Sequence, residues 1–149
     1  MAASAWRMYR SAKVKLGTGN LNLTNSLMRM KLIKAGGAAQ VSDYAGITSF
    51  ASAGSGNAAA NMDILSVTGL SFTALAGSNT HTWNGVSCIF TATGGTATSI
   101  LYAVIGLSGG AAIAWSKLTS TGSINVATGS TLTVNPNANG FFTLAGGET

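Results

Sequence analysis

The sequence has very few ionisable side chains. Of its 149 residues only 7% are charged, and they comprise eight lysines and arginines and three acids, with one histidine besides. An ordinary soluble domain carries roughly 25% charged residues. A surface this poor in charge has little to keep copies apart in solution. The composition therefore favours a protein that buries its surface against neighbours.

Cysteine is also scarce, because Cys88 is the only one. It cannot form an intrachain disulfide, and a single cysteine is too few for a zinc or iron–sulfur site. Cys88 lies in the apolar run VSCIF, residues 86–90. We expect it to be a small buried hydrophobic residue.

Catalysis needs residues that this chain barely has. His81 lies in a polar segment without a G-x-S-x-G motif, so we expect it in an exposed turn. The acids Asp43, Asp63 and Glu148 give no signal for the carboxylate pair of a glycosidase. They also provide no carboxylate cluster for a hard cation. We predict that the protein is not an enzyme and holds no metal or cofactor.

Long apolar runs are absent as well. The longest candidate, residues 100–107, is strand-sized, whereas a membrane-spanning helix needs roughly 18 residues or more. The first ten residues, MAASAWRMYR, lack the apolar region of a signal peptide. We expect no membrane partner, and synthesis and folding in a cytoplasm.

The positive charge that is present lies near the N-terminus. The net charge is +5, and seven of the eight cations precede residue 35. They are Arg7, Arg10, Lys13, Lys15, Arg29, Lys31 and Lys34, and the eighth is Lys117. Such asymmetry suggests that the N-terminal part meets an acidic partner.

Three interpretations of the basic N-terminal segment stay open. It is a solvated helix face, a docking element for an acidic protein surface, or a nucleic-acid-binding segment in which Trp6 and Tyr9 stack on bases. No nucleic-acid-binding motif accompanies it, so nucleic acid is the least favoured partner.

Residues 4–16 predict a short helix with Ser4 as its N-cap. Trp6, Tyr9 and Lys13 fall on one side of it, and Gly17 marks its end. A helix this short is marginal alone and must dock on something. We treat residues 1–19 as an N-terminal helix or arm.

After residue 19 the periodicity changes to two. Residues 20–23 alternate, and residues 28–32 predict a half-buried strand. In that strand Met28, Met30 and Leu32 face inward. Arg29 and Lys31 then lie on the solvent face or on a face that meets a neighbour.

The stretch 35–61 is dominated by small residues and predicts a long loop or extended arm. From residue 62 onward short strands alternate with glycine-marked breaks. Residues 99–107 do not alternate and predict a central strand that is covered on both faces. The sequence thus predicts an all-β protein. Residues 20–149 form a single domain, an antiparallel β-sandwich or barrel, with a jelly roll as one form.

Two further tryptophans lie in this part of the chain. Trp115 follows Ile113 and is predicted to belong to the core. Trp83 lies near His81 in a predicted loop. It could anchor an interface, pack under the loop or stack on a sugar, and the sequence does not separate these roles.

Several short segments, in this order, resemble small virion proteins of tailed bacteriophages. They are AWRMYRSAK at 5–13, NLNLT at 20–24, LMRMKL at 27–32, YAVI at 102–105, TLTVN at 131–135 and NANGFF at 137–142. Proteins of this kind begin with a short helix, enter a strand with R-M-x-L and end with an L-T-V…N-x-N-G-x-F strand pair. This chain departs from them at 35–61, where a better-formed strand is expected.

The resemblance implies a many-copy binding role without catalysis, as a capsid decoration (cement) protein on the virion surface. Its partners would be the major capsid protein and neighbouring copies of itself, arranged as a homotrimer. The docking residues would be Trp6, Arg7, Tyr9, Arg10, Lys13, Lys15, Arg29 and Lys31, with Trp83 as a further interface aromatic. The alternatives are a tail or head–tail joining protein and a carbohydrate-binding module for host attachment.

Overall fold

Antiparallel strands make up most of the ordered framework. The computed structural model describes residues 5–42, 46–74, 80–136 and 140–145. Strands hold 41% of the residues and helices 11%, and the strand pairs in these ranges are antiparallel. The predicted all-β class is confirmed. No helix in the described ranges is long and apolar enough to cross a bilayer.

The described residues form eleven strands, two α-helices and one 3-10 turn. The strands are β1 (Arg7–Met8), β2 (Met28–Lys34), β3 (Leu65–Ser66), β4 (Ser71–Ala74), β5 (Thr80–Asn84), β6 (Cys88–Thr91), β7 (Ala97–Leu107), β8 (Ala112–Lys117), β9 (Ile124–Val126), β10 (Thr131–Val134) and β11 (Phe142–Ala145). The helices are α1 (Arg10–Gly17) and α2 (Ala38–Ser42), and a 3-10 turn spans Ala35–Gly37.

The main sheet has the strand order β1-β8-β7-β2-β3, with β9 beside the first half of β7. The central strand is β7, and its residues 100–106 are all buried. Both of its faces are covered, which is why the hydrophobic pattern there is continuous rather than alternating. The predicted central strand is confirmed.

The other strands form two smaller sheets, β11-β5-β4 and β10-β6, which we together call the ribbon. In it β5 pairs with β4 and β11, while β6 pairs with β10. Thr68 lies just before β4 and Val86 just after β5. Val86 N donates to Thr68 O at 2.8 Å, so the segments that enter β4 and leave β5 lie side by side. Gly69 has φ +62, and a Cβ there would lie 2.6 Å from Val86 Cγ2. The bend in the ribbon therefore requires glycine.

The main sheet and the ribbon share one hydrophobic core. From β2, the core receives Met28, Met30 and Leu32, as predicted. The ribbon contributes alternate residues, which are Cys88, Phe90, Leu132 and Val134. Burying one such large apolar side chain stabilises the fold by about 1.5–3 kcal/mol.

The N-terminal helix begins later than predicted. Arg7 and Met8 pair with Trp115 and Ala114 of β8, and Tyr9 N donates to Ile113 O at 2.9 Å. These backbone bonds to β8 hold the segment extended, so α1 starts only at Arg10. The predicted N-cap at Ser4 lies outside the described residues, whereas the predicted helix end at Gly17 is confirmed.

The stretch 35–61 is not an extended arm in its described part. It contains the 3-10 turn and α2, and then folds onto the main sheet, with Phe50 and Ala53 buried. Its small residues permit this close approach: a Cβ on Gly54 would lie 2.5 Å from Ile33 Cδ1. The low side-chain volume that predicted a loop instead lets backbone pack directly on the sheet. We call residues 46–59 the cover.

Two further expectations need correction. Residues 20–23 do not form a strand, although Leu21 and Leu23 are buried and Asn22 is exposed as the alternation predicts. The segment around His81, predicted as a loop, contains β5. Its polar composition, THTWN, is typical of a loop. The segment is nevertheless a strand, because it pairs with β4 on one side and β11 on the other.

Candidate docking surface

Strand pairing brings cations from distant parts of the sequence onto one face of the main sheet. Arg7 pairs with Trp115, Trp115 with Val104, and Val104 with Lys31. Residues directly opposite one another point to the same side of a sheet, so these four side chains form one row across four strands. The cover lies over part of this row, as its contact with Lys31 shows.

The next row adds Lys117, which pairs with Tyr102. The ring of Tyr102 meets the ring of Trp115 edge-on, with centroids 5.8 Å apart. The Arg7 guanidinium carbon lies 5.7 Å from the centroid of Trp115. A cation–π contact at such a site contributes about 0.5–1 kcal/mol. Trp115 is buried, which confirms its predicted place in the core.

Lys31 does not face solvent as predicted. Its side chain is buried, and its Nζ donates to the Phe50 carbonyl oxygen at 2.5 Å. The same Nζ lies 4.7 Å from the centroid of the Phe50 ring. Burial lowers the pKa of Lys31 because the charged form loses its hydration. Lys31 holds the cover on the sheet and is not available to a docking partner.

Arg29 keeps part of its predicted exposure but folds back on its own chain. Its Nη1 donates to Ser26 O at 2.9 Å and to Met28 O at 3.0 Å. The side chain is half-buried on the same face of the sheet, where Arg29 pairs with Gly106 of β7 and Ser66 of β3. It contributes positive charge near the cover rather than a freely extended contact.

Helix α1 presents the cations that are best placed for contact. Arg10 and Lys13 are exposed, Lys15 is half-buried, and Ala12 packs inward. Ser11 Oγ donates to Ile47 O at 3.1 Å and ties the helix to the cover. Between the cations lies Val14, which is 60% exposed. We call Arg7, Arg10, Lys13 and Val14 the basic surface.

The two aromatic residues predicted as docking anchors are part of the chain's own core. Tyr9 is fully buried, and Trp6 is almost so. The Trp6 ring meets Phe141 edge-on, with centroids 5.2 Å apart and planes at 88°. Their spacing in the sequence fits one helix face, but residues 7–8 are extended, and both rings are buried in the chain's own core. The prediction that they anchor a partner is therefore wrong for this conformation.

Trp83 is also a core residue, since its exposed fraction is 0%. Its Nε1 donates to Leu23 O at 2.8 Å, and its ring lies 4.9 Å from that of Phe141. Of the three roles left open by the sequence, internal packing is the one observed. Roles as an interface anchor or a sugar platform need an exposed ring and do not fit this position.

The residues considered for chemistry do not come together in the described part of the chain. His81 lies in β5, not in a turn, and stacks on Phe72 at 5.7 Å. No group of three metal-ligating side chains is found in the described ranges. Asp43 and Glu148 lie outside those ranges. Cys88 is buried as predicted, and burial raises the pKa of its thiol.

Sequence reasoning missed two residues of this region. Lys117 is remote from the other cations along the chain and joins them only through the β7–β8 pairing. Its alternation with Trp115 on β8 was the available signal, because residues two apart in a strand share a face. Val14 was not singled out, because the exposure of one apolar residue on a short helix depends on how the helix packs on the rest of the chain.

Comparison with known proteins identifies no relative of this chain. No protein-family model, curated protein or solved structure matches the chain. The function is therefore inferred from the basic surface and from the low charge of the chain, of which 7% of the residues are charged.

Proposed function

We propose that this chain is a structural protein that works by assembly and not by catalysis. In its most specific form, it is a capsid decoration protein of a tailed bacteriophage. It binds the outside of the capsid and stabilises contacts between major capsid protein subunits and copies of itself. The observation that carries this proposal is the segregation of charge: seven of the eight cations precede residue 35, whereas the three acids, Asp43, Asp63 and Glu148, all follow it.

The basic surface supports docking on an acidic partner. Arg7, Arg10 and Lys13 are exposed within a few residues of one another and would attract negative charge over about a Debye length. Val14 lies among them and supplies the apolar contact that was expected from Trp6 and Tyr9.

Each such contact is weak by itself, since an exposed ion pair contributes about 0–1 kcal/mol. A protein present in many copies compensates through multivalency, because each further contact on the same shell is effectively intramolecular. This fits a protein that binds a repeating lattice better than one that binds a single soluble target.

The remainder of the surface supports close contact between neutral proteins. Ile64, Val86 and Ile89 each expose more than half of their side-chain surface. No lysine, arginine or glutamate occurs between residues 35 and 116. Such a surface is easily desolvated on contact, because few ions have to lose their hydration.

We also propose that the main sheet and the ribbon are the two layers of an antiparallel β-sandwich. The shared core supports this arrangement, as does the contact of Trp6, next to β1, with Phe141, next to β11. A sandwich of this kind leaves the outer sheet faces and strand edges free for contacts with neighbours.

The test is occupancy on purified virus particles that carry the chain. Arg10→Ala with Lys13→Ala removes two charges from the basic surface, and we expect occupancy to fall at least about tenfold through the lost multivalent contacts. The matched control is Thr121→Glu with Ser123→Glu, which changes the net charge by the same amount at exposed positions between β8 and β9. Unchanged occupancy of the alanine variant, or an equal loss in the control, would contradict the proposal.

Truncation is a poor test of the same idea. Deleting residues 1–16 would remove Trp6, Tyr9 and Ala12 from the core as well as the cations. Loss of occupancy would then report unfolding. A low copy number at a single vertex of the particle would favour the tail or head–tail joining role instead of decoration.

A further inference from the structure

One strand of the ribbon has an edge that pairs with no strand of the described residues. In the described part of the chain β10 pairs only with β6. Leu132 and Val134 face the core, whereas Thr131 is exposed and Thr133 half-buried on the outer face. On the far side of β10 the backbone groups have no strand to pair with in the described ranges.

The hydrogen-bond pattern shows which backbone groups point to this edge. Ala92 N donates to Ser130 O at 3.0 Å, just beyond the pair Thr131–Thr91. Hydrogen-bonded and non-hydrogen-bonded pairs alternate along an antiparallel ladder, so Leu132 bonds to β6 and Thr131 and Thr133 do not. The N–H and C=O groups of Thr131 and Thr133 are therefore directed away from β6.

We propose that two copies of this chain pair edge to edge through β10. In antiparallel pairing Thr131 stands opposite Thr133 of the second copy, and Leu132 stands opposite its own equivalent on the twofold axis. The outward N–H and C=O groups of Thr131 then meet those of Thr133 in the second copy. The edge is thus complementary to itself in hydrogen bonding, as an isologous contact must be.

The chemistry of the edge favours a second copy over a charged partner. Natural edge strands are usually guarded by lysine, proline or a bulge. In β10, TLTV, there is none of these, and its register with β6 is continuous. From residue 118 to residue 136 the chain has no ionisable side chain. The cations lie at residues 7–34 and at Lys117, so two copies meet at this edge without local repulsion.

The outer face beside the edge is equally neutral. Thr131 pairs with Thr91, and Thr133 pairs with Ile89, which is 60% exposed. Edge pairing would join two such faces into one continuous sheet surface. This proposal rests on the assembly role above for the expectation that copies associate. It assigns a twofold contact, which does not by itself build the homotrimer expected from the sequence.

The mass of the protein in solution tests the contact. We expect sedimentation equilibrium to show a dimer of the 14.9 kDa chain that dissociates on dilution. Thr131→Lys places like charges at the paired edges and should weaken the dimer more than about tenfold. The matched control is Thr91→Lys, on the same outer face but one strand further from the edge, and it should leave the dimer nearly intact.

Cysteine cross-linking tests the register. In a Cys88→Ala background, Thr131→Cys and Thr133→Cys proteins are mixed and oxidised. The proposed register puts these residues opposite each other, within the Cα separation of about 5.5 Å that a disulfide spans. We expect a disulfide between unlike copies and little in either protein alone, because the register offsets like positions along the strand.

Two results would overturn this proposal: a monomer at every concentration up to about 100 μM, or a dimer that Thr131→Lys and Thr91→Lys weaken equally. Failure here is distinguishable from failure of the proposed function. A chain that dimerises through β10 but never occupies particles contradicts decoration alone, whereas a monomer that occupies particles contradicts only the edge pairing.

Discussion

The indole of Trp6 stands edge-on to the ring of Phe141, 5.2 Å away. Trp6 directly precedes β1 at one end of the main sheet, and Phe141 directly precedes β11 in the ribbon. The contact therefore joins the first described segment of the chain to the last one. An aromatic residue that the sequence offered as a partner anchor instead helps to close the fold.

The two tryptophans that contact Phe141 should respond differently to the same substitution. Trp83→Phe removes the donor to Leu23 O and leaves a buried carbonyl unpaired, whereas Trp6 Nε1 has no partner among the described residues. We expect Trp83→Phe to cost about 1–3 kcal/mol more in the free energy of unfolding than Trp6→Phe. Urea unfolding followed by circular dichroism measures both, and equal losses would contradict the assigned hydrogen bond.

Gly106 is predicted to tolerate no side chain. A Cβ there would lie 2.6 Å from Phe50 Cδ2 and 2.8 Å from Ala111 O. Gly106→Ala should therefore push the cover off the sheet and cost about 1–3 kcal/mol of stability. Gly17→Ala is the control, because a Cβ at the end of α1 meets nothing within 4 Å. A Gly106→Ala protein as stable as the control would show that the cover is not packed on β7.

The buried ammonium of Lys31 predicts a pH dependence of stability. Its pKa is lowered in the folded protein, so the unfolded chain binds more protons between the two pKa values. The free energy of unfolding should therefore rise as the pH increases through that window, up to about pH 10.5. Unfolding curves at several pH values should show a smaller rise for Lys31→Met than for the protein with Lys31.

Cys88 changes the pH dependence of stability in the opposite direction to Lys31. It has to be replaced before the proteins with and without Lys31 are compared. Its raised pKa means that the folded protein holds the proton more tightly, so stability falls as the pH rises above about 9.0. Both proteins should therefore carry Cys88→Ala. Parallel pH profiles with and without Lys31 would contradict the assigned burial of its charge.

The Cys88 thiol should resist modification in the folded state. The side chain is buried, and its raised pKa keeps the thiolate scarce near neutral pH. We expect a thiol reagent to label it at least about a hundredfold more slowly in buffer than in denaturant. Rapid labelling of the native protein would place Cys88 at the surface and contradict the position of β6.

The sequence predicted those elements whose local pattern agrees with their tertiary surroundings. Residues 99–107 carry a continuous apolar pattern, and β7 is covered on both faces. Alternation at residues 28–32 matched β2 on its inner face. The same alternation wrongly predicted an accessible Lys31, because the cover lies on the outer face of β2. The cover packs there only because Gly106, far away in the sequence, has no side chain.

Elements selected by distant partners could not be read from local patterns. Trp6 and Tyr9 fit one side of a helix by spacing, but pairing of Arg7 and Met8 with β8 makes this segment extended. The polar strand β5 is likewise fixed by its neighbours. The cations of the basic surface were predicted, whereas Val14 was missed, because its exposure depends on which side of α1 packs on the rest of the chain.

The central claim is that this chain does its work as a structural part of a particle. Quantitative mass spectrometry of purified virions, combined with an electron-microscopy map, tests it most directly. The account predicts many copies in a fixed ratio to the major capsid protein, on the outer capsid surface, with the basic surface towards the shell. Absence of the protein from particles purified away from host material would contradict the account.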